Sequence, residues 1–422
     1  MCCRKLALCL APLLAGLVGF PPAVVAAPEF VTAWGSDGSG PGQFVQAEGI
    51  AVDDSFHVYV VDHGTHRIEK FTRDGVFLLQ WGGQGAAAGQ FTYPSNVAVD
   101  HAFNVYVTDT GNNRVEKFNS MGMFLTQWGS LGSLDGQFHG PLGIAVDDAG
   151  ANVYVVDPGN PLHPLPTRIE RFSSSGAFLG KWGTQGCCAP GQFLEPEDVA
   201  VSSSNHVYVI DAYSCEVQEF DPSGAFIAIW GGGVGTEPGS FQDPAGIEVD
   251  RRDGDRVYVV DSSNYRVQVF GPAGAFQELF GDAGGGPGQF WGPCDAAMDP
   301  TGFIYVADSG NYRVEKFLRS NLAGVGTGPD DASAGMRCVP NPCREQMRAS
   351  FRLATAGVAH IEVFDFGGRR VRQLADEPAD AGVHTVEWDL RDGSGTKVSP
   401  GIYLLRVTAP AGRLTSRVLV LD

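Results

Sequence analysis

Four acidic residues stand at positions where they could hold a metal ion. Glu48, Glu197, Asp198 and Asp295 each lie near the start of a short apolar run. Carboxylate oxygens are the ligands that hard cations such as calcium prefer. The four residues are therefore a candidate metal site for calcium, and no other cofactor is expected. The alternative is that they are solvated acids in loops.

A second set of charged residues recurs at a fixed spacing. An aspartate is followed five residues later by an arginine at Asp62 and Arg67, Asp109 and Arg114, Asp261 and Arg266, and Asp308 and Arg313. At Asp157 an insertion delays Arg168, and after Asp211 the arginine is replaced by Glu216. Such a pair can fix a tight turn through charge-assisted hydrogen bonds. We interpret these residues as structural, since a residue needed in every repeat serves the repeat.

Cysteines form a third group with possible chemistry. Cys187 and Cys188 are adjacent, and Cys215 follows in the next turn region. A disulfide from Cys215 to one of the pair is predicted. A zinc site that includes His163 is the alternative, although the spacing matches no known ligand set.

The amino-terminal residues and the net charge restrict the location and the partners of the protein. A charged start, an apolar run and small residues up to Ala27 predict a signal peptide over residues 1–27, and thus a secreted or cell-surface protein with no membrane span after cleavage. Removing this segment leaves 27 basic against 48 acidic residues, a net charge of −21. Because such a surface repels phosphate backbones, nucleic acid is not an expected partner.

The elements that position these residues form a sixfold repeat. Four features recur every 47 to 55 residues or so: a phenylalanine after a Gly-rich loop, a buried-strand run such as Gly-Ile-Ala-Val-Asp at residues 49–53, a Val-Tyr-Val-x-Asp strand, and a strand ending in phenylalanine. The first feature falls at Phe44, Phe91, Phe138, Phe193, Phe241 and Phe290. Each period contains four short strands, so the predicted fold is an all-β, six-bladed β-propeller over residues 28–319.

The segments 65–68, 112–115, 264–267 and 311–314 resemble the motif of the NHL-repeat family. The sixth repeat supplies only three strands, and an extra strand is predicted at residues 30–35. We therefore expect residues 30–35 to pair with the last repeat and close the ring, which removes an exposed sheet edge. The resemblance also implies an alternative function, because six-bladed propellers include metal-dependent lactonases and amidating lyases.

One insertion breaks the repeat. A proline-rich segment, 158–167, separates the second and third strands of the third repeat. Functional residues on a repeated scaffold are expected where the repeat is interrupted. Asn160, Leu162, His163 and Leu165 are therefore the predicted partner-binding residues.

The end of the chain forms a separate unit. Residues 320–336 are rich in Gly, Ala and Asp and are predicted to be a linker. Alternating strands over residues 337–422 predict a small Ig-like β-sandwich. The segments 339–342, 363–368, 382–389 and 401–403 resemble the FlgD-type Ig-like domain and the related type IX secretion sorting domains. The resemblance implies a sorting or attachment module, and Cys343, where that family has an aromatic residue, can pair with Cys338.

These observations favour a non-catalytic binding scaffold over an enzyme. The histidines of the propeller region lie at unrelated repeat positions, so no catalytic triad is predicted from them. We expect an exported, monomeric protein whose propeller face engages a protein or a glycan and whose last domain can attach it to the cell envelope. A metal-dependent hydrolase or lyase remains the alternative.

Overall fold

The computed structural model describes residues 27–159, 165–187, 189–231, 233–319, 336–339, 343–353, 355–365, 369–380, 382–409 and 412–421. Residues 1–26 of the predicted signal peptide and residues 320–335 of the predicted linker lie outside these ranges. Within them, no helix has the length and apolar character needed to cross a membrane.

Six four-stranded antiparallel sheets form the blades of a propeller. The first strand of the chain, β1 (Glu29–Trp34), belongs to the last blade. Blades 1 and 2 contain β2 (Ala47–Val52), β3 (Val58–Asp62), β4 (Arg67–Phe71) and β5 (Phe77–Gly82), then β6 (Pro94–Val99), β7 (Val105–Asp109), β8 (Arg114–Phe118) and β9 (Phe124–Trp128). Blades 3 and 4 contain β10 (Ile144–Val146), β11 (Asn152–Asp157), β12 (Arg168–Ser173) and β13 (Phe178–Trp182), then β16 (Pro196–Val201), β17 (Val207–Asp211), β18 (Glu216–Phe220) and β19 (Phe226–Trp230).

Blades 5 and 6 complete the ring. They contain β20 (Pro244–Asp250), β21 (Arg256–Asp261), β22 (Arg266–Phe270) and β23 (Phe276–Phe280), then β26 (Pro293–Met298), β27 (Phe303–Asp308), β28 (Arg313–Leu318) and β1. Two short parallel pairs lie in the loops between blades: β14 (Thr184–Gln185) with β15 (Gln192–Phe193), and β24 (Asp282–Ala283) with β25 (Gln289–Phe290). Short 3-10 helices follow the second strand of four blades, at His63–Thr65, Thr110–Asn112, Ser262–Asn264 and Ser309–Asn311.

The antiparallel order gives the propeller two different faces. The loops between blades and the turns after each second strand lie on one face, which we call the loop face. The turns that join the first to the second strand, and the third to the fourth, lie on the opposite face, which we call the hairpin face. The first strand of each blade is innermost and lines a central channel.

The ring closes by pairing the two ends of the propeller segment. β1 pairs antiparallel with β28, so that Phe30 lies opposite Phe317 and Trp34 lies opposite Val314. This is the position predicted for the extra strand. Because β1 covers β28, the third strand of blade 6 presents no open edge to other chains.

Aromatic contacts join each blade to the next. A residue near the end of each outer strand packs on the phenylalanine that ends the third strand of the following blade. The ring centroids are 6.0 Å apart for Trp34 and Phe71, 5.8 Å for Trp81 and Phe118, 5.9 Å for Trp128 and Phe172, 5.7 Å for Trp182 and Phe220, 4.8 Å for Trp230 and Phe270, and 4.9 Å for Phe280 and Phe317. The Trp34–Phe71 contact therefore joins blade 6 to blade 1.

The recurring aspartate and arginine hold the loops of the loop face. Arg114 Nε donates to Asp109 Oδ2 at 2.7 Å, and its Nη atoms donate to the carbonyls of Ala86, Ala87 and Gln90 at 2.8 to 3.1 Å. The equivalent pairs are Asp62 with Arg67 at 3.4 Å, Asp157 with Arg168 at 3.1 Å, Asp261 with Arg266 at 2.7 Å and Asp308 with Arg313 at 2.9 Å. Each pair thus anchors the loop that enters its own blade.

A buried glutamate makes a further link to the same loop. Glu116 accepts a hydrogen bond from the Gly89 amide at 3.2 Å. Burial raises the pKa of this residue, and of its equivalents Glu69, Glu170 and Glu315, to about 7. In blades 4 and 5 a glutamine takes this place, and Gln218 and Gln268 accept the matching glycine amide at 2.8 and 2.9 Å. An amide therefore fits the position as well as a carboxylate.

The C-terminal unit is a separate two-sheet sandwich. One sheet has the order β29 (Met336–Val339), β30 (Met347–Leu353) and β33 (Gly382–Trp388). The other has the order β32 (Arg370–Ala379), β31 (Gly357–Asp365), β34 (Gly401–Ala409) and β35 (Gly412–Val420). Their facing sides bury one core, in which Trp388 and Tyr403 make an edge contact at 5.3 Å.

Trp34→Ala is expected to lower the free energy of unfolding by about 2 to 4 kcal/mol, because it removes an aromatic contact that closes the ring. Trp291→Ala is the matched control, since the Trp291 side chain is 53% exposed, and we expect it to change this free energy by less than about 1 kcal/mol. Denaturant titration measures both values. Equal losses in the two variants would contradict the closure by β1.

Glu116→Gln is expected to stabilise the protein more at pH 8 than at pH 5. The pKa of Glu116 is raised to about 7 in the folded state from an ordinary value of 4.5. The stability that the protonated Glu116 gives to the folded state is therefore fully present below about pH 4.5 and is lost as the pH rises through about 7. Melting temperatures from pH 5 to 8 test this. The exposed Glu387→Gln is the control, and parallel pH profiles for wild type and Glu116→Gln would contradict the assignment.

Candidate functional site

The central channel is shaped by an alternation of glycine and polar residues. At equivalent positions near the loop-face end of the innermost strands the chain has Gly49, Asn96, Gly143, Asp198, Gly246 and Asp295. A Cβ atom at Gly49 would lie 2.6 Å from the Cα of Asn96, and one at Gly143 would collide with Asp198. Each glycine therefore leaves room for the polar side chain of the next blade.

The two aspartates of this ring are buried and bound to backbone amides. Asp198 Oδ2 accepts from the Ile247 amide at 3.0 Å, and Asp295 Oδ2 accepts from the Ile50 amide at 2.9 Å. Asp198 Oδ1 also accepts from Asn96 Nδ2 at 3.0 Å. Burial, followed by the proximity of Asp295, holds the pKa of Asp198 well above its usual range, and burial raises the pKa of Asp295 to about 7.

The two glutamates of the predicted metal site lie elsewhere at the channel mouth. Glu48 Oε2 forms an ion pair with His63 Nδ1 at 2.9 Å. Burial raises the pKa of Glu197 to about 7, and the acidic neighbours Asp243 and Glu195 add to the shift. Among the described residues, no three His, Cys, Asp or Glu side chains are grouped closely enough to hold a metal ion. Backbone amides and His63 engage three of the four carboxylates, and the shared cation site stays a prediction.

A channel residue that the sequence analysis missed is Glu248. Its equivalents in the other innermost strands are Ala51, Ala98, Ala145, Ala200 and Ala297. Glu248 is thus a carboxylate in an otherwise methyl-lined ring of the channel wall. Burial raises its pKa to about 8; Arg251 opposes this shift and Asp295 adds to it. The departure from the Gly-Ile-Ala-Val-Asp motif was the signal that could have identified it.

Ion pairs cross the hairpin-face end of the channel. Arg251 of blade 5 donates to the carbonyls of Val201 and Val146 at 2.7 Å, and it pairs with Asp148 at 2.7 Å. The next residue, Arg252, pairs with Asp54 of blade 1 at 2.7 Å. His101 of blade 2 pairs with both Asp54 and Asp148, the latter at 3.5 Å. Since these contacts join five blades, they obstruct the channel on this face.

The loop face carries exposed aromatic side chains. Trp291, 53% exposed, stacks on Tyr265 of the preceding blade with centroids 5.2 Å apart and planes 22° apart. Tyr93, 50% exposed, lies 4.6 Å from the ring of His66, whose Nδ1 accepts the Tyr93 amide hydrogen at 2.9 Å. Tyr213 is 54% exposed. These rings border the loops that lead to the channel mouth.

Half of the predicted binding loop, residues 160–164, lies outside the described residues. Asn160, Leu162 and His163 belong to that undescribed part. Leu165 is described, and it lines an open depression of about 490 Å³ together with Pro166 and Trp182. The structure therefore places only the two ends of the insertion, residues 158–159 and 165–167, beside blade 3.

The cysteines do not form the predicted pair. Cys187 and Cys215 are free thiols, and Cys215 Sγ donates to the Ala212 carbonyl of its own turn at 3.3 Å. Cys215 therefore does not form the predicted disulfide with Cys187 or Cys188, because its side chain points into its own buried turn. Cys188 itself lies outside the described residues. The backbone of Cys343 bonds with Leu419 and Leu421, and the side chain of Cys338 lies outside the described set.

Two family models match the chain. The NHL repeat matches residues 193–220, 241–270 and 290–317, which are parts of blades 4, 5 and 6. The FlgD Ig-like domain matches residues 344–412 of the sandwich. No curated protein has a significantly similar sequence.

Several solved structures are similar to this chain at low sequence identity. A protein of unknown function from Bacteroides thetaiotaomicron is 20% identical with a TM-score of 0.52, covering 69% of this chain and 76% of that one. A gluconolactonase from Xanthomonas campestris is 16% identical with a TM-score of 0.47, covering 70% and 96%. The type IX secretion component PorZ from Porphyromonas gingivalis is 15% identical with a TM-score of 0.43, covering 91% and 53%. This chain is an NHL-repeat β-propeller followed by a FlgD Ig-like domain.

Proposed function

We propose that the protein is an exported, non-catalytic binding scaffold whose loop face engages a protein or a glycan. The observation that carries this proposal is the set of exposed aromatic rings on the loop face, Tyr93, Tyr213 and the Trp291–Tyr265 stack. Exposed aromatic side chains of this kind are enriched at the centres of binding sites. They lie on the face at which the channel mouth is acidic, and opposite the face that ion pairs obstruct.

The closed ring makes this face suitable for recognition. The loops that carry Trp291 and Tyr93 are fixed to their blades by hydrogen bonds from backbone amides to the recurring aspartates: the Trp291 amide donates to Asp308 Oδ1 at 2.7 Å, and the Thr92 amide donates to Asp109 Oδ1 at 2.7 Å. A partner therefore meets rings that are already ordered, and less conformational entropy is lost on binding.

A metal-dependent hydrolase or lyase is the second candidate, and the described residues offer it little support. Such chemistry needs side chains that converge on an ion or on a reacting group. The channel aspartates Asp198 and Asp295 instead bind backbone amides of neighbouring blades. These hydrogen bonds join the innermost strands of neighbouring blades, which is a structural role.

The Ig-like domain is proposed to sort the protein or attach it to the cell surface. Its sandwich has its own core, so it can be carried by the propeller without contributing to the loop face. Export is proposed on the signal peptide predicted at residues 1–27.

Trp291→Ala is expected to reduce retention of the native partner at least tenfold in a pull-down from the secreted and envelope fractions, because truncation of a central aromatic residue costs about 2 kcal/mol or more. Met121→Ala is the matched control, since Met121 is 66% exposed on the hairpin face. Quantitative mass spectrometry measures the retention. Equal loss in both variants, or loss in neither, would contradict a binding site on the loop face, and deletion of residues 158–167 tests the insertion separately.

A further inference from the structure

We propose that His66 makes binding at the loop face sensitive to pH: its neutral ring holds Tyr93 in place, and its protonated ring releases Tyr93 and weakens binding of the partner. This inference rests on the proposed function and deepens it by giving the site a means of regulation. It is carried by a hydrogen bond that only the neutral ring can accept, by the backbone conformation of Tyr93, and by an uncharged side chain that makes the same bond in the next blade.

The hydrogen bond between the two residues fixes the protonation state of His66. The amide of Tyr93, in the loop that enters blade 2, donates to His66 Nδ1 of blade 1 at 2.9 Å. Because a backbone amide can only donate, Nδ1 must offer a lone pair, and the neutral ring carries its proton on Nε2. Protonation places a second N–H group at Nδ1, where it faces the N–H of Tyr93. The hydrogen bond is then lost and the two groups repel each other.

The backbone of Tyr93 is held in an unfavourable conformation. Its φ is 51°, in the left-handed region that bulky residues avoid. The equivalent residues of blades 3 and 6 are Gly140 and Gly292, which adopt this conformation without strain. The surroundings of Tyr93 must therefore hold it, and its own amide is held by His66. Loss of that bond allows the backbone to relax and the ring to move.

The ring of Tyr93 belongs to the surface on which the proposed binding depends. The Tyr93 side chain is 50% exposed, and its ring centroid lies 4.6 Å from that of His66 and 5.2 Å from that of His63. A change in the backbone at Tyr93 therefore changes a part of the loop face that a partner can contact.

The groups around His66 determine the pH at which it is protonated. Burial lowers its pKa from the ordinary value of 6.5, and the charge of His63 in the same turn lowers it further. Asp62 of the same turn and Asp109 of blade 2 oppose this shift. Because the pKa is lowered, the bond to Tyr93 is complete above about pH 6.5 and is lost as the pH falls below that value.

Blade 2 contains the same bond with an acceptor that does not titrate. Asn113 is the equivalent of His66, and its Oδ1 accepts a hydrogen bond from the Gly140 amide at 2.9 Å. The two residues share a left-handed backbone, with φ values of 60° for His66 and 57° for Asn113. An amide oxygen accepts at any pH in this range. His66→Asn is therefore expected to keep the bond and to remove its dependence on pH.

The first test observes Tyr93 in the absence of a partner. Amide signals of the full chain labelled with 15N-tyrosine are recorded by NMR from about pH 8 to pH 5, and Tyr93→Phe identifies the Tyr93 signal by its loss. In wild type this signal is expected to shift or broaden below about pH 6.5, and in His66→Asn it is expected to stay unchanged. His139→Asn is the matched control, because it removes a loop-face histidine that contacts Ser133, and it should respond as wild type does.

The second test measures partner retention by pull-down at about pH 7.5 and pH 5.5. Retention by wild type is expected to be roughly fivefold lower at the acidic pH, the change that the loss of one hydrogen bond produces. His66→Asn should retain the partner equally at both values, and His139→Asn should follow wild type.

A Tyr93 signal that is independent of pH, or that responds equally in wild type and His66→Asn, would overturn the inference. Partner retention that falls with pH to the same extent in both proteins would also overturn it. If the Tyr93 signal responds as expected and no partner is retained at either pH, the release of Tyr93 by protonation of His66 is supported, and the proposed binding function is rejected.

Discussion

The structure depends on closing a ring from blades that are each only four strands wide. One strand from the start of the propeller, β1, completes the last blade, and its Trp34 packs on Phe71 of the first. Every other junction uses the same kind of aromatic contact between covalently consecutive blades. The pairing of β1 with β28 joins segments nearly 300 residues apart in sequence. The arrangement of the two faces therefore depends on this pairing.

Residues that recur in every blade and residues that occur in only one blade have different roles in this protein. The Asp–Arg pairs recur because the loop that enters each blade must be anchored. In blade 4 the aspartate alone holds this loop, since Asp211 accepts a hydrogen bond from the Leu194 amide and has no arginine partner. Glu248 has no such role. It interrupts a ring of alanines and places an ionisable group, with Arg251 as a charged neighbour, in a channel wall that the repeat would otherwise leave methyl-lined.

The fold was predictable from the sequence because its signals are repeated six times. Strand positions, blade number and the closing strand follow from the spacing of residues such as Phe44 and Tyr59. The candidate site was predictable only in part. Asp198 and Asp295 were identified as candidate metal ligands, but a sequence does not show that backbone amides of the next blade bind them. The stacking of Trp291 on Tyr265 joins two blades, so no local sequence pattern reveals it. The thiol of Cys215 points into its own buried turn and away from the neighbouring pair Cys187 and Cys188.

Hydrogen exchange of the full chain, read by mass spectrometry, tests the closed ring most directly. If β1 completes blade 6, the amides of residues 29–34 will be protected to the same degree as those of the outer strands β5, β9, β13, β19 and β23. Rapid exchange over residues 29–34, with protection retained in those five strands, would contradict the closure and with it the assignment of the two faces.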